Sequence, residues 1–587
     1  MYGWTGHIAL IDLTRHRIRT LSLSPKTCAG HIGGRGLGGL FVRPAARLPW
    51  DHEDMPVCLF TGPLTATIAP TSGRCHMMSI SPLTGLVGDA SMGGKIGVQL
   101  KRAGWDGLVI TGKSSAPVGI EIQDDRISLV SATHLWGMPT DTLYDTLTPG
   151  KAGLACIGPA GENGVRFAAV ITDRYHAAGR TGLGVSLGVK KVKYIRVSGT
   201  GGTRVKYPDR LKQARADILR LTAASPALMG RFGISRLGTG ALYDLMDNRS
   251  MMPTHNFTAT RFAPASRLNA HAYAATYLPT RHGCKGCHIL CKKIATQSDP
   301  GLPIPEFEAM SHFTALVGLE DIQLVTAANQ LCNRLGMDTI SAASTLACYR
   351  EITRQHFTPQ SLLALLKDTA LDRGDGRDLK HGATRYARSM GKPETAMTVK
   401  GLELPAYDPR GAYGMALGYA VATRGGCHLR AYPISHEILR KPVATDRFSF
   451  SGKARIIKIA EDLNAVVDSL TACKFTFFAA GLEEYARAVH AVTGNPFTAV
   501  DLLGVGEKII YNERIINSLN GVDARHDTLP ERFFDQPGTG CDRFFVPPID
   551  RTAFLSARSA YYAVRELTED GRPRQDTARR LGMDRHG

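Results

Sequence analysis

Three cysteines stand close together near the middle of the chain. The segment GCKGCHILCKK over residues 283–293 carries Cys284, Cys287 and Cys291 in a C-x2-C-x3-C array. Thiolates at this spacing can bend around one metal centre, and a [4Fe–4S] cluster needs four of them. A structural zinc site is the alternative, although zinc sites usually combine two C-x2-C pairs or add histidines. The triplet therefore predicts a metal site whose fourth ligand lies far away in the sequence.

Glycine-rich segments in the first 200 residues point to a second kind of site. They occur at 33–39, 72–74, 93–94 and 179–184. Backbone N–H groups in such turns and at helix starts can bind phosphate without a charged side chain. These segments also carry arginines, which can fork two bonds to a phosphate, namely Arg35, Arg74 and Arg180. Tight turns and interdomain ion pairs are the alternative for each segment taken singly.

The elements that must position these groups change in type along the chain. His7–Asp12 and Ile18–Leu23 are short alternating runs that predict a β-hairpin, and similar runs continue to about residue 205. From there the pattern is helical. Asp209 can cap a helix through Leu221, whose apolar residues recur at helical spacing.

Further helices follow this first one. Asp321 is predicted to begin a helix that Gly336 ends, and Asp338 to cap the next helix through about Glu351. Helical periodicity continues over 360–390, 453–475, 483–493 and 500–519. The sequence therefore predicts a β-rich beginning and a mainly helical remainder.

Length and charge limit the class of protein. A chain of 587 residues is too long for one hydrophobic core, so two to four domains are expected. Its net charge of +19 could attract nucleic acid, anionic membrane or an acidic protein. The chain has no long Lys/Arg run and no nucleic-acid motif, and no apolar run approaches the roughly 20 residues of a membrane span. Two interpretations of the positive charge remain: docking of an acidic electron-transfer partner, or an ordinary arginine-rich surface.

The amino terminus and the cysteine content indicate the compartment. MYGWTGHIALIDL has no basic region followed by an apolar stretch, so it is predicted to be a strand and not a signal peptide. Twelve cysteines in such a chain argue against a disulfide framework. A cytoplasmic location is therefore expected.

Ordered motifs along nearly the whole chain resemble those of one family. They include GGRGLGG (33–39), TGPLTATIAPTSGR (61–74), SPLTGLVGDASMGGKIGVQLKRAGWDGLVITGK (81–113), IGPAGENGVRFAAVITDRYHAAGRTGLG (157–184), PEFE (305–308), CNRLGMDTIS (332–341), YDPRGAYGMALGYA (407–420), GGCHLRAYP (425–433) and DTLPERF (527–533). The chain resembles the aldehyde:ferredoxin oxidoreductases, which are tungsten- or molybdenum-pterin iron–sulfur enzymes. So many motifs would not occur in the same order by chance.

The resemblance implies a fourth ligand for the cluster. Cys473 in DSLTACKF is similar to the cysteine of the family's D-x2-G-L-C motif. Thr471 and Ala472 replace its Gly-Leu, a change that bears on the backbone beside the cofactor. From the residues alone, Cys332 and Cys427 compete for the same role.

The resemblance also implies the cofactor and its contacts. Tungsten or molybdenum would be held by the dithiolene sulfurs of two pyranopterins, a soft ligand set that suits either metal, with no protein ligand. Arg74 would lie between cluster and pterin, and Ser91, which stands where many relatives have asparagine, would lie with Gly93 near phosphates bridged by Mg²⁺. The remaining pterin-binding candidates are Arg180, Gly182, Gly184, Asn333 (aspartate in the family motif), Gly336, Asp338 and Asp468, with Cys473 beside them.

Two residues match the family's catalytic groups. Glu308, the second glutamate of PEFE, would accept a proton, because a carboxylate in a water-poor site has a raised pKa. His428 in GGCHLRAYP would hydrogen-bond the substrate carbonyl. Without the resemblance, Glu308 would be interpreted as flanking a helix start and His428 as an ordinary surface or core histidine.

The fold class implied is α+β. An amino-terminal β-sheet domain (1–205) would bind the cofactor, followed by a helical domain with the cysteine triplet (206–400) and a helical domain with the fourth cysteine (401–587). These boundaries agree with the change from strand to helix patterns near residue 205.

The implied activity is oxidation of aldehydes to carboxylic acids, or the reverse. Electrons would pass through a [4Fe–4S] cluster to ferredoxin or a ferredoxin-like subunit, and a homo-oligomer is compatible with the sequence. One alternative is an oxidoreductase for another carbonyl or acyl substrate. Another is a non-catalytic iron–sulfur or zinc subunit of a larger complex.

Overall fold

The computed structural model describes residues 1–541 and 544–583. Two six-stranded sheets lie before residue 199 and most of the remaining elements are helices, so the predicted α+β class is confirmed. Within the described ranges, no helix combines the length and the apolar character that a bilayer span requires.

The first sheet begins with the predicted hairpin. Its strands are β1 (His7–Asp12), β2 (Arg17–Ser22), β3 (Val57–Phe60), β4 (Cys75–Ile80), β5 (Val87–Met92) and β6 (Gly107–Thr111). Their spatial order is β2-β1-β6-β3-β4-β5, and β1 pairs in parallel with β6. Strands β3 and β4 are buried along their whole length, which explains why β3 is continuously apolar, although β4 also contains His76 and Ser79.

The second sheet follows directly along the chain. It consists of β7 (Val118–Gln123), β8 (Arg126–Ser131), β9 (Gly153–Ile157), β10 (Val170–Thr172), β11 (His176–Ala178) and β12 (Val192–Ser198), in the order β11-β10-β9-β12-β7-β8. Apolar side chains from both sheets share one core cluster, which includes Leu59, Met77, Ile120 and Ile195. This shared core holds β4, β5 and β11 as the rigid base of the site described below.

Helices of the sheet region are mostly short. They are α1 (Pro25–His31), α2 (Gly34–Val42), α3 (Ile96–Arg102), α4 (Thr140–Leu147), α5 (Pro159–Glu162) and α6 (Leu183–Val189). Helix α2 is formed by the glycine-rich segment 33–39. A side chain at Gly38 would meet Met78 on β4, so glycine lets this helix pack closely on the sheet.

The middle of the chain is helical. Its helices are α7 (Pro208–Ala223), α8 (Pro226–Met229), α9 (Ile234–Leu237), α10 (Tyr243–Asn248), α11 (Ala270–Tyr277), α12 (Phe307–Ser311), α13 (Ile322–Leu335), α14 (Thr339–Thr353), α15 (Pro359–Leu371), α16 (Gly376–Leu379) and α17 (Ala383–Ser389). One turn of π-helix, His312–Leu316, continues α12. The hairpin of β13 (Thr280–His282) and β14 (Lys292–Ile294) carries the cysteine triplet in its loop.

The last part of the described chain contains the longest helix. Its strands are β15 (Thr398–Val399), β16 (Leu402–Glu403), β17 (Gly538–Cys541) and β18 (Phe544–Val546). Its helices are α18 (Tyr413–Val421), α19 (Ile434–Glu437), α20 (Lys453–Ser469), α21 (Leu482–Thr493), α22 (Ala499–Leu519), α23 (Arg532–Asp535), α24 (Arg551–Val564) and α25 (Gln575–Arg580). Helices α20 and α22 pack side by side, and α2 of the sheet region rests on both.

The caps predicted at Asp321 and Asp338 agree with the structure. The cap predicted at Asp209 is wrong, because α7 begins at Pro208 and Asp209 lies within its first turn. Asp321 accepts hydrogen bonds from the N–H groups of Gln323 and Leu324, and Asp338 accepts one from Ile340. Gly336 ends α13 with a φ of +77°, a conformation that glycine adopts without strain.

Two predicted helices are too long. The helix expected over 360–390 is divided into α15, α16 and α17, because Asp372 ends α15 in the left-handed conformation. The helix expected over 453–475 ends at Ser469, since Thr471 also has a positive φ of 54°. In both places one residue outside the helical region of φ stops a pattern that apolar spacing alone would continue.

Candidate active site

The structure brings the cysteine triplet together with Cys473. Cys284, Cys291 and Cys473 line the same cavity, and Cys287 and Cys291 pack against one apolar cluster beside it. Burial raises the pKa of the Cys473 thiol to about 11, while the Arg74 guanidinium opposes this rise. Buried thiols with raised pKa values ionise readily only beside a cation, so the site fits a metal centre.

The two competing cysteines lie elsewhere. Cys332 is buried in α13 within the large apolar core, and burial raises the pKa of its thiol. Cys427 accepts a hydrogen bond from Arg424 Nη2 at 2.8 Å and lies next to His428 in the chain. Among the three cysteines considered for the fourth ligand, only Cys473 lies beside the triplet in the described part of the chain.

Thr471 keeps the backbone shape that glycine would give at this motif. Its φ of 54° lies in the left-handed region, which costs a β-branched residue free energy. Its hydroxyl lies 2.8 Å from that of Thr65, a buried contact between distant segments. The backbone before Cys473 is therefore turned despite the substitution.

Arg74 lies between the cysteine loop and the interior of the protein. Its Nη1 approaches Cys284 Sγ at 3.9 Å, while Nε donates to the hydroxyl of Ser91 and Nη2 to the carbonyl of Ser91, both at 2.9 Å. A Cβ at Gly93 would lie 2.5 Å from Cys284 Sγ, so glycine permits this close approach. Ser91, which departs from the family pattern, thus anchors Arg74.

A large cavity of about 1450 Å³ lies beneath the cysteine site. Segments from before residue 200, from the middle of the chain and from beyond residue 400 all line it. Four residues that line this space each have a buried polar atom with no hydrogen-bond partner among the described residues, namely His76 Nδ1, Glu308 Oε1, Arg424 Nε and His428 Nδ1. Buried polar groups are normally paired, so these atoms fit a large polar ligand such as a pair of pterins.

Most of the predicted pterin-binding residues line this cavity. Arg180 Nε lies 3.1 Å from the carboxylate of Asp338, and Asn333 faces the same space. Asp468, which also lines the cavity, accepts from Lys474 Nζ at 2.9 Å. The cavity is thus lined by the carboxylate of Asp338, which caps α14, and by that of Asp468 near the end of α20.

The predicted glycines contribute in another way. Gly182 and Gly184 pack against the backbone of Arg166 and Ala169, and Gly336 packs against that of Gly158. None of the three is among the residues that line the cavity. Their role at the cofactor stays a prediction, while their role in close backbone packing is evident.

One group of lining residues was not predicted from the sequence. Asp89 accepts from His76 Nε2 at 2.9 Å and from Arg430 Nη2 at 2.5 Å, and Arg424 lies 3.6 Å away. The arginines hold the pKa of the Asp89 carboxyl well below its usual range despite burial. Two guanidinium groups neutralise this carboxylate, so the group is an ion-pair network and not a cation site. The available signal was a histidine in β4 and an aspartate in β5, two strands that are almost completely buried.

Glu308 and His428 meet at the wall of the cavity. Glu308 lies in the first turn of α12, where its Oε2 accepts from the N–H of Ala406 at 2.8 Å. Its Oε1 lies 3.6 Å from His428 Nε2. Burial raises the pKa of Glu308 to about 8 and lowers the pKa of His428 well below its usual value. The imidazole is therefore neutral and the carboxyl titrates near neutral pH.

Aromatic side chains surround this pair. The Tyr407 ring lies 5.3 Å from the His428 ring, and Tyr432 lies 5.9 Å from it. The two tyrosine hydroxyls are 3.0 Å apart, and the Phe478 ring lies 5.8 Å from that of Tyr432. The neighbourhood of the acid–base pair is therefore largely apolar, which accounts for the direction of both pKa shifts.

Comparison with known proteins agrees with the geometry. The family model "Aldehyde ferredoxin oxidoreductase, N-terminal domain" matches residues 8–199, and "Aldehyde ferredoxin oxidoreductase, domains 2 & 3" matches 213–583. Tungsten-containing aldehyde ferredoxin oxidoreductases of Thermococcus kodakarensis and Pyrococcus furiosus are each 34% identical, with 99% of both chains covered.

More distant relatives have other names. The WOR-like subunit of an aliphatic sulfonate oxidoreductase from Pyrococcus furiosus is 25% identical over 99% of this chain and 97% of its own. The solved active-site complex BamBC of benzoyl coenzyme A reductase has the same fold, with a TM-score of 0.84, 19% identity and coverage of 99% and 97%. The resemblance inferred from the motifs is confirmed, and this chain belongs to the aldehyde ferredoxin oxidoreductase family.

Proposed function

We propose that this oxidoreductase converts aldehydes to carboxylic acids at a tungsten–pterin centre and passes the electrons through a [4Fe–4S] cluster to a ferredoxin-like carrier. The observation that carries the proposal is the Glu308–His428 pair at the wall of the large cavity. The names of the relatives that match the whole chain support the same activity and the choice of tungsten.

The four-cysteine site would hold the cluster. Cys284, Cys287 and Cys291 come from the proposed second domain (206–400) and Cys473 from the third (401–587). Arg74 from the first domain (1–205) reaches Cys284 across this junction. Binding a cluster would therefore tie all three proposed domains together.

The polar residues of the cavity would hold two pterins. Asn333, Asp338 and Arg180 would contact one of them. Asp468 and the unpartnered ring nitrogen of His76 and Nε of Arg424 would contact the other. Ser91 and Gly93 border the space where Mg²⁺ would bridge the phosphates, while the part of Gly182, Gly184 and Gly336 would be to shape the backbone. When bound, the tungsten–pterin group supplies a two-electron acceptor.

The acid–base pair would act on substrate and water. Neutral His428 would donate a hydrogen bond to the aldehyde oxygen and so make the carbonyl carbon more electrophilic. Glu308, as carboxylate, would accept a proton from the water that adds to this carbon. Aldehyde and water yield carboxylic acid, two protons and two electrons, and the carrier removes these electrons one at a time.

Metal content tests the cofactor class. About one tungsten and four irons per chain in anaerobically purified protein would support the proposal, and molybdenum in place of tungsten would correct the metal alone. Zinc without either heavy metal would favour the non-catalytic alternative. Viologen reduction by a panel of aldehydes, with acyl thioesters and sulfonates for comparison, then tests the substrate class. A loaded protein that oxidises no aldehyde would overturn the proposed reaction.

A further inference from the structure

The loop that carries the cysteine triplet is close to the surface. Lys285 and Gly286, which separate Cys284 from Cys287, are both exposed, and the three cysteines are partly exposed. The four-cysteine site therefore lies near the surface at this loop. Electron transfer weakens steeply with distance, so an external carrier gains most by docking here.

Neighbouring helices extend this surface. Leu228 of α8 and Ile234 of α9 share an apolar cluster with Ile289 of the loop, and Cys287 and Cys291 pack against it. This contact places the 229–236 turn beside the loop. Arg236 and Cys291 line one small cavity, and helix α7, which carries Arg215, packs against α8.

These segments are basic throughout. Residues 228–236 contain two arginines and residues 281–293 contain four Lys or Arg, and neither segment contains Asp or Glu. Lys292 is neutralised by Glu306 at 2.5 Å, and Lys293 donates to backbone carbonyls. The others are exposed and form no ion pair with any described residue. Together with a neighbour on α7 they define the cluster face: Arg215, Arg231, Arg236, Arg281 and Lys285.

The cluster face also has an apolar centre. Phe232 is 60% exposed and Met229 is 37% exposed, although both are large apolar side chains. The Arg231 guanidinium lies 5.0 Å from the Phe232 ring centroid, so an aromatic group and positive charge are presented together. Aromatic residues and arginine are the side chains that most often dominate binding at protein interfaces.

We infer that the cluster face is the docking site for a small acidic iron–sulfur carrier that accepts single electrons. The inference rests on the proposed function and adds to it the place and the charge of the partner. Complementary charge would steer the acidic carrier to the exposed loop beside the four-cysteine site. Phe232 would then form the dry centre of the contact.

The test reverses three charges away from the cysteine loop. Arg215→Glu/Arg231→Glu/Arg236→Glu is compared, as holoenzyme, with the matched variant Arg373→Glu/Arg388→Glu/Lys392→Glu, whose exposed residues lie on or next to α15 and α17. Binding of a small acidic [4Fe–4S] ferredoxin is measured by surface plasmon resonance at low and high ionic strength. Aldehyde oxidation is measured with the same ferredoxin and with benzyl viologen.

Weaker binding by the first variant alone is the expected result. Its Kd for ferredoxin should rise about 10- to 100-fold at low ionic strength, with a similar loss of ferredoxin-linked kcat/KM, and the difference should shrink as salt screens the charges. The viologen-linked rate should stay unchanged. Equal Kd values for wild type and both variants would overturn the docking site. A viologen-linked rate absent already in the wild type would contradict the proposed function instead.

A variant that neutralises the same three charges without reversing them serves as the control for misfolding. Arg215→Gln/Arg231→Gln/Arg236→Gln should give an intermediate Kd with unchanged iron content and melting temperature. Full loss of binding without a change in salt dependence would contradict steering by charge.

Discussion

His428 Nε2 lies 3.6 Å from Glu308 Oε1, beyond hydrogen-bonding distance, and both groups are largely buried at the wall of one cavity. His428 Nε2 and Glu308 Oε1 therefore do not hydrogen-bond each other. Oε2 of Glu308 is held by the N–H of Ala406, so the carboxylate keeps its orientation while Oε1 remains free. A donor and an acceptor at this separation can act on two neighbouring atoms of one substrate.

The proposed reaction should depend on the ionisation of Glu308. Because burial raises the pKa of this carboxyl to about 8, the carboxylate is scarce below neutral pH and becomes dominant above pH 8. We expect viologen-linked kcat/KM to rise with pH and level off above about pH 8. A rate that is already constant from pH 5.5 upwards would show that this group is not the base.

Removing that carboxyl should abolish activity without lowering stability. Glu308→Gln should reduce kcat by about 10²–10⁴-fold while tungsten and iron content stay unchanged. Its folded-state pKa lies above the unfolded value, so wild-type stability falls as pH rises from the unfolded pKa toward 8. The variant lacks this titration, and its melting temperature relative to wild type should increase over the same interval. A constant difference would contradict the raised pKa.

Iron content should depend on Cys473. Cys473→Ser should lose most of its iron and its cluster absorption, because the triplet alone leaves one iron without a thiolate. Cys332→Ser is the matched control, since Cys332 lies in the core of α13. Normal iron in the Cys473 variant together with loss in the control would show that the fourth ligand has been misassigned.

Thr471 should tolerate glycine better than valine. Thr471→Gly adopts the observed positive φ without strain, which offsets the lost contact with Thr65. Thr471→Val keeps the strain and removes the hydroxyl. We expect normal iron content and a nearly unchanged melting temperature for the glycine variant, and a lower melting temperature for valine. The opposite order would mean that the threonine conformation carries no strain.

The network around Asp89 should matter for stability. Asp89→Asn would remove the buried counter-charge of Arg424 and leave Arg430 with Glu513 at 3.6 Å, at a cost of about 3–5 kcal/mol in the free energy of unfolding. Asp12→Asn removes a half-buried partner of the exposed Arg15 and should have little effect. Guanidinium chloride unfolding of both variants measures the difference. Equal stability of the two variants would contradict an energetic role for the buried network.

Sequence by itself determined the features that depend on neighbouring residues. The C-x2-C-x3-C spacing, the caps at Asp321 and Asp338 and the helix end at Gly336 each depend on a few consecutive residues. The family could also be recognised, because its motifs keep their order along the chain. Helix ends at Asp372 and Ser469 were missed, since a residue with positive φ interrupts apolar spacing that would otherwise continue.

Tertiary structure decided which distant residues share a site. From the residues alone Cys332 and Cys427 competed with Cys473, which the resemblance singled out. Packing of the segment after α20 brings Cys473 to the cavity that Cys284 and Cys291 also line. The anchoring of Arg74 by Ser91 likewise depends on pairing between strands. Burial sets the pKa of Glu308, and burial is a property of the folded cavity. Residue spacing determines local features such as helix caps and the cysteine triplet. Burial and contacts between distant segments exist only after the chain has folded.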